Sequence, residues 1–76
     1  MSTLADLVRG WLLKAESDLA TARLVSDGPG PYDTACFHAQ QAAEKCLKAF
    51  LAHARLSIPF THNLEELEQR CLVASP

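Results

Sequence analysis

The sequence lacks several features that would define its class at once. It contains no run of about 18 apolar residues, so no segment is predicted to span a membrane. It has no Cys-x-x-Cys and no pair of histidines four residues apart, so the ligand spacings of structural zinc are missing. Neither a repeat nor a low-complexity segment occurs. We predict no metal, no cofactor and no membrane-spanning segment.

Positive charge and cysteine are also scarce. Seven Lys and Arg residues against nine Asp and Glu residues give a net charge of −2, whereas a general nucleic-acid coat is strongly basic. The three cysteines are odd in number, and Cys36 and Cys46 fall in a strongly helical segment, so they predict buried thiols rather than disulfides. Free thiols and the absence of an export signal predict a cytoplasmic protein.

The chain is short, and this limits its core. Its 76 residues allow one domain, here taken as 1–76. A domain of this size buries only about 60% of the surface that its unfolded chain exposes. We therefore predict that a partner, either a second copy or a different chain, supplies part of the stability.

Apolar periodicity predicts an all-α protein, an up-and-down antiparallel bundle of two long helices and a shorter third. Helix 1 is predicted over about 3–26, with Thr3 as N-cap. Its apolar face consists of Leu4, Leu7, Val8, Trp11, Ala15, Leu19, Ala22 and Val25. The segment 27–31 ends helix 1, with Gly28 in the left-handed conformation. So short a connection implies an antiparallel hairpin.

Helix 2 is predicted over about 33–54 as the central element. The middle of its apolar face is Cys36, Ala39, Ala43, Leu47, Phe50 and Ala54, widened by Ala35, Ala42, Cys46 and Ala49. Its polar side carries Gln41, Glu44, Lys45 and Lys48. Helix 3 is predicted over about 63–72, where Asn63 and Glu66 fit a capping box. Three large apolar residues lie off the main stripes and are candidates for an interface: Leu13, Leu24 and Phe37.

Three ordered blocks resemble the HEPN family (higher eukaryotes and prokaryotes nucleotide-binding domain). They are Trp11 with Ala15, Asp18, Leu19 and Ala22, then the segment 39–49 (AQQAAEKCLKA), then 59–64 (PFTHNL), which is similar to the family's Pro-x-Thr-His-x-Leu before the third helix. Together they cover almost the whole chain. The resemblance implies an up-and-down helical bundle, often dimeric, in prokaryotic proteins. Members usually continue through one or two more helices, so it also implies that this chain lacks the last third of the bundle.

The resemblance implies several functions. Many members stand beside a minimal nucleotidyltransferase as the toxin half of a toxin–antitoxin pair, and others are RNases or nucleotide-binding modules. RNase members use an arginine, four to six arbitrary residues and then a histidine. Arg55 and His62 satisfy this spacing, but they precede helix 3 instead of opening a later helix. We therefore commit to no catalytic residue, and these two remain the only candidates.

Four residues are candidates for binding a nucleotide or RNA: Lys45, Lys48, Arg55 and His62. For the two lysines, the alternative is a solvated face balanced by Glu44. Asp18 falls on the apolar face of helix 1 and is predicted to be a buried polar residue, because an unpaired buried charge is costly. It makes a structural contact, to His62, Lys48 or the backbone of helix 3, or forms part of a nucleotide or RNA site, or is simply exposed.

Three functional hypotheses remain open. The first is a HEPN-like protein that acts through dimerisation or a nucleotidyltransferase partner, in a toxin–antitoxin or nucleotide/RNA-binding system. The second is a metal-independent RNase, and the third is a helical interaction module without a ligand. For this chain alone we expect weak, salt-sensitive nucleotide or RNA binding and no cleavage.

Overall fold

The computed structural model describes residues 3–74 and contains three helices and no strand in that range. Helix α1 spans Leu4–Ser26, α2 spans Tyr32–His53 and α3 spans Leu64–Ala74. The predicted all-α architecture, two long packed helices followed by a shorter third, is confirmed. Within the described range α2 contacts both other helices, whereas α1 and α3 do not touch each other. None of the three helices is long and apolar enough to cross a membrane.

The start of α1 is fixed by a reciprocal capping box. The hydroxyl of Thr3 accepts a hydrogen bond from the backbone N–H of Asp6 at 3.1 Å, and the Asp6 carboxylate accepts one from the N–H of Thr3 at 3.1 Å. At the other end, the residue in the left-handed region is Gly30, at φ +96°, and not Gly28 as the sequence suggested. A Cβ at Gly30 would lie 3.0 Å from the backbone N of Tyr32, so the turn into α2 requires a glycine there.

The end of α2 is a Schellman turn in which Arg55 takes the position that glycine usually holds. Arg55 has φ +61°, its N–H donates to the carbonyl of Ala52 at 3.0 Å, and the N–H of Leu56 donates to Leu51 at 2.9 Å. The backbone of Arg55 therefore stops the helix and sends the chain into the connection that leads to α3.

The start of α3 uses half of the predicted capping box. The side-chain oxygen of Asn63 accepts from the N–H groups of Glu65 at 2.9 Å and Glu66 at 3.2 Å. The Glu66 carboxylate does not return to Asn63. It instead pairs with Arg70 at 3.3 Å, one helical turn further on. The N–H of Asn63 donates to the Thr61 hydroxyl at 3.0 Å, and this bond fixes the residues before α3.

Small side chains bring α1 and α2 close together. The buried apolar residues include Ala15 and Ala22 on α1 and Ala35, Ala42 and Ala49 on α2. Within each helix these alanines recur every seven residues, so they form one stripe along the line of contact. Two larger buried residues, Leu51 on α2 and Leu67 on α3, are 1% and 0% exposed. The buried apolar residues of the described chain are therefore mostly alanines, with these two leucines as the largest.

The predicted middle of the α2 apolar face is wrong, since most of it lies on the surface. Its exposed members are Cys36, Ala39, Ala43, Phe50 and Ala54. The buried stripe is rotated by about one residue around the helix, because alanine at 35, 42 and 49 allows a closer approach of α1. The prediction of buried thiols fails for Cys36 and Cys46, which are exposed. Only Cys71 is partly buried, and burial raises the pKa of its thiol.

The three helices form an open arrangement. The radius of gyration of the Cα atoms is 13.6 Å, whereas a compact domain of this length would have about 11 Å. Since α3 covers α2 alone, both sides of the α1–α2 hairpin remain partly uncovered. One side is polar and the other is apolar, and this contrast organises the candidate site.

Candidate functional site

Asp18 holds one half of the polar side together. One oxygen of its carboxylate lies 3.0 Å from Nδ1 of His38, and the other accepts a hydrogen bond from the ammonium of Lys45. The Asp18 side chain is 14% exposed, and its partners both lie on α2. The hydrogen bonds from Lys45 and then from His38 lower the pKa of the Asp18 carboxyl group, because they favour its charged form. The expected contacts with His62, Lys48 or α3 are not the ones found.

Glu44 holds together the other half of the polar side. Its Oε1 lies 3.0 Å from Nζ of Lys48 and 2.7 Å from Nδ1 of His62. The side chains of Glu44 and Lys48 are only 2% and 9% exposed, whereas that of His62 is 80% exposed. Glu44 and Lys48 therefore do not form the solvated face that the sequence suggested. They make a buried ion pair within α2, and the contact of Glu44 with His62 ties the connection before α3 to the middle of that helix.

Trp11 lies against this second cluster. The Lys48 ammonium is 5.3 Å from the centre of the indole ring, and the Lys14 ammonium is 5.2 Å from it, within the range of cation–π attraction. The indole Nε1 is buried and has no hydrogen-bond partner among the described residues. Beside Trp11 and Lys48, the residues 58–62 close a cavity of about 200 Å³.

The four predicted binding residues do not form a single cationic patch. Lys45 pairs with Asp18, and Lys48 pairs with Glu44, so each ammonium is already neutralised. His62 joins Lys48 through Glu44. Arg55 is exposed at the end of α2, and no hydrogen bond or ion pair joins it to His62 within residues 3–74. Phosphate binding by all four residues together therefore has no support in this geometry.

Two important residues were missed from the sequence as members of the polar clusters. His38 was not among the candidate residues taken from the sequence, yet it pairs with Asp18. The available signal was its spacing of seven from Lys45, which places both side chains on one face of α2. Glu44 looked solvated, and its i, i+4 spacing from Lys48 suggested only a surface pair. The sequence gives no sign that the connection before α3 would fold over both residues.

The opposite side of the hairpin is apolar and open. A groove of about 370 Å³ runs between α1 and α2 and is lined by Leu12, Ala15, Glu16, Leu19, Ala42 and Cys46. Leu12 and Leu19 are 48% and 41% exposed, and Phe50, one turn beyond Cys46 on α2, is 39% exposed. We call the surface formed by Leu12, Leu19, Ala39, Ala43, Cys46 and Phe50 the apolar side. The polar side comprises Trp11, Asp18, His38, Glu44, Lys45, Lys48 and His62.

The part of the chain that the structure describes contains no cluster of side chains that could bind a metal ion. Nowhere in residues 3–74 do three or more His, Cys, Asp or Glu side chains come together as metal ligands would. The carboxylates of Asp18 and Glu44 each face nitrogen donors instead. The chemistry that the polar side offers is hydrogen bonding and ion pairing.

Comparison with known proteins identifies the family. A model of the HEPN domain matches residues 8–72, which is most of the chain. The chain therefore belongs to the HEPN domain family, as the three sequence blocks indicated. No curated protein and no solved structure matched it. Membership of this family suggests a nucleotide- or RNA-related function or a dimerisation module.

Proposed function

We propose that this protein acts by association, either with a second copy or with a nucleotidyltransferase, in a toxin–antitoxin or other nucleotide/RNA-binding system. The observation that carries the proposal is the apolar side of the hairpin, where Leu12, Leu19 and Phe50 stay between 39% and 48% exposed. Family membership supports the nucleotide- or RNA-related setting. The nucleotidyltransferase partner rests on the family resemblance alone.

Physical considerations favour a partner on the apolar side. Contiguous apolar surface on a soluble domain commonly marks an interaction site, whereas single exposed apolar residues carry no such meaning. Here Leu12 and Leu19 line one groove together with Ala15 and Ala42 of the alanine seam, so a covering chain would extend the core. The alanine seam buries little apolar area by itself, because each alanine contributes only one methyl group. A partner on this side would bury additional apolar area that the chain alone leaves exposed.

Light scattering of the purified protein tests the association. At micromolar concentration we expect a mass of at least twice the 8.3 kDa monomer, or a stable complex when a nucleotidyltransferase is present. Leu19→Glu puts a charge on the apolar side and should weaken association at least tenfold. The matched control is Leu24→Glu, the same change on the same helix, because Leu24 is 78% exposed and lies on a different face.

Each result of that experiment has a clear meaning. A folded monomer that binds no nucleotidyltransferase would overturn the proposal. Association that survives Leu19→Glu and fails with Leu24→Glu would move the interface to the other face of α1. Association of the pure protein with itself favours the homodimer, and capture only by a nucleotidyltransferase favours the heteromeric pair.

The RNase hypothesis has one supporting observation. The Glu44 carboxylate lies 2.7 Å from Nδ1 of His62 and orients the exposed imidazole, as a carboxylate does for a general base. Nothing in residues 3–74 brings the Arg55 guanidinium to the same place, and its backbone has a structural role at the end of α2. We therefore expect no cleavage of labelled RNA by this chain alone. Cleavage that disappears in the Arg55→Ala/His62→Ala double variant would establish the enzyme instead.

A further inference from the structure

The cavity beside the polar side has an unusual lining for a domain with so small a core. Its walls are Trp11 and Lys48 from the hairpin and the residues 58–62 from the connection before α3. The Glu44–His62 contact holds this connection against α2, and the Asn63–Thr61 hydrogen bond fixes its far end. The cavity is therefore bounded by a fixed segment and not only by side chains on the surface.

Phe60 is the most exposed large apolar residue of the described chain. Its relative exposure is 110%, so its ring lies wholly in water at the rim of the cavity. Such a ring gives nothing to the fold, since it buries no area. It does offer a flat face, and stacking of a nucleobase on an aromatic ring contributes about 1–3 kcal/mol to binding.

Two hydrogen-bonding groups line the cavity next to Phe60. A carboxylate only accepts hydrogen bonds, so His62 must donate from Nδ1 to Glu44, and a neutral His62 then has Nε2 as an acceptor. The Thr61 hydroxyl accepts from the N–H of Asn63 and keeps its own hydrogen to donate. One acceptor and one donor match the polar edge of a base, which always carries both.

Charge and size argue against a phosphate in the same place. Among the described residues that line the cavity, Lys48 has the only ammonium, and it already pairs with Glu44 at 3.0 Å. The volume of about 200 Å³ is below the roughly 300–1,000 Å³ of sites that enclose drug-sized ligands. The cavity therefore has room for one ring system, and a sugar and phosphate would remain outside.

We propose that this cavity binds one unpaired nucleobase, stacked on Phe60 and hydrogen-bonded to Thr61 and His62. The inference rests on the nucleotide- or RNA-related part of the proposed function and is independent of association through the apolar side. The base belongs either to a free nucleoside or to a single-stranded RNA, and the chemistry is the same for both. Since recognition is by stacking, binding of the free nucleoside should depend little on salt.

Trp11 provides a direct probe, because it is the only tryptophan in the chain and lines the cavity. Its fluorescence is recorded while the 76-residue protein is titrated with adenosine, with a ten-residue oligoadenylate and with inorganic pyrophosphate. Equilibrium dialysis with labelled adenosine detects any binding that leaves the fluorescence unchanged. We expect adenosine to bind and pyrophosphate to have no effect. A stronger response to the oligoadenylate than to adenosine would identify single-stranded RNA as the source of the base.

Matched aromatic substitutions locate the ligand. Phe60→Leu should weaken adenosine binding by roughly fivefold to 150-fold, which is the stacking contribution expressed as an affinity. Phe37→Leu is the control, because Phe37 is 56% exposed on α2 and does not line the cavity. Circular dichroism should show both variants folded, since neither ring is buried.

Several outcomes would overturn the inference. These are no binding of either adenosine or oligoadenylate in dialysis, an equal response to pyrophosphate, and equal loss in the Phe60→Leu and Phe37→Leu variants. Light scattering of the same samples separates this failure from failure of the proposed function. A dimer that binds no base contradicts only the base site, whereas a monomer that binds adenosine but no nucleotidyltransferase contradicts only the association.

Discussion

The two sides of the α1–α2 hairpin differ in how far their side chains find partners within the chain. On the polar side, Asp18 and Glu44 each face two nitrogen donors, so their charges are compensated within the chain. On the apolar side, Leu12, Leu19 and Phe50 keep 39–48% of their surface in contact with water. The two carboxylates of the polar side are thus paired within the chain, whereas large side chains of the apolar side remain uncovered. We infer that the polar side stabilises the chain and that the apolar side meets a partner.

The pairing of charges on the polar side also decides which of its residues can bind a ligand. Lys45 and Lys48 looked like ligands for phosphate, but each is occupied by a carboxylate. The residues on that side that can still meet a ligand are Phe60, Thr61 and His62, in the connection before α3. On the polar side we therefore expect the connection between α2 and α3, and not α2 itself, to bind a ligand.

The largest effect should come from Glu44→Ala. It removes the carboxylate that compensates Lys48, whose side chain is only 9% exposed, and breaking a buried pair in this way costs about 3–5 kcal/mol. Urea unfolding followed by circular dichroism measures the change. Glu68→Ala, on the exposed surface of α3, is the control and should differ from the parent by less than about 0.5 kcal/mol. Equal stability of the two variants would contradict the buried pair.

A smaller loss is expected for Asp18→Ala. The change leaves the part-buried His38 and Lys45 without their shared acceptor, and we expect the free energy of unfolding to fall by about 1–3 kcal/mol. Asp18→Asn keeps the shape and one acceptor, so it should lose less. If Asp18→Ala melts like the parent, the polar side contributes less to stability than its hydrogen bonds indicate.

The contribution of Asp18 to the free energy of unfolding should decrease in acid. The pKa of Asp18 is lowered in the folded chain, chiefly by the hydrogen bond from Lys45. The stabilisation is therefore fully present above the unfolded-state pKa of about 3.9 and is lost as pH falls through the lower folded value. The difference in unfolding free energy between the parent and Asp18→Asn should shrink as the solution is acidified below that range. A constant difference across the titration would show that Asp18 has the same pKa in both states.

The smallest effect on the isolated chain is expected on the apolar side. Leu12→Ser removes a side chain that is already 48% exposed, so the unfolding free energy of the monomer should fall by no more than about 1 kcal/mol. The same change should clearly lower the stability at concentrations where the protein associates, because a partner then buries that position. A loss that does not depend on protein concentration would mean that Leu12 has no partner.

The helices could be predicted from the sequence because their signals are local. Thr3 with Asp6 marks one helix start, and the turn around Gly30 separates two periodic segments. The length of the chain also predicted that a partner supplies part of the stability. The rotation of α2 could not be predicted, since half of its circumference is apolar and any of several stripes could have faced α1. The closest approach of two backbones, through Ala35, Ala42 and Ala49, decided between them.

By itself, the sequence determined the helix content, the antiparallel order of the two long helices and the family, because capping, periodicity and motif order are properties of neighbouring residues. Only the tertiary structure decided that Asp18 pairs with His38 and Lys45, and that Glu44 is buried between Lys48 and His62. Three of those pairs join residues that are between 18 and 27 positions apart in the sequence. The fourth, Glu44 with Lys48, is local, but its burial depends on the connection that folds over it. Contacts of that range depend on how the helices are rotated about their axes, and one residue of rotation exchanges a solvated face for a buried one.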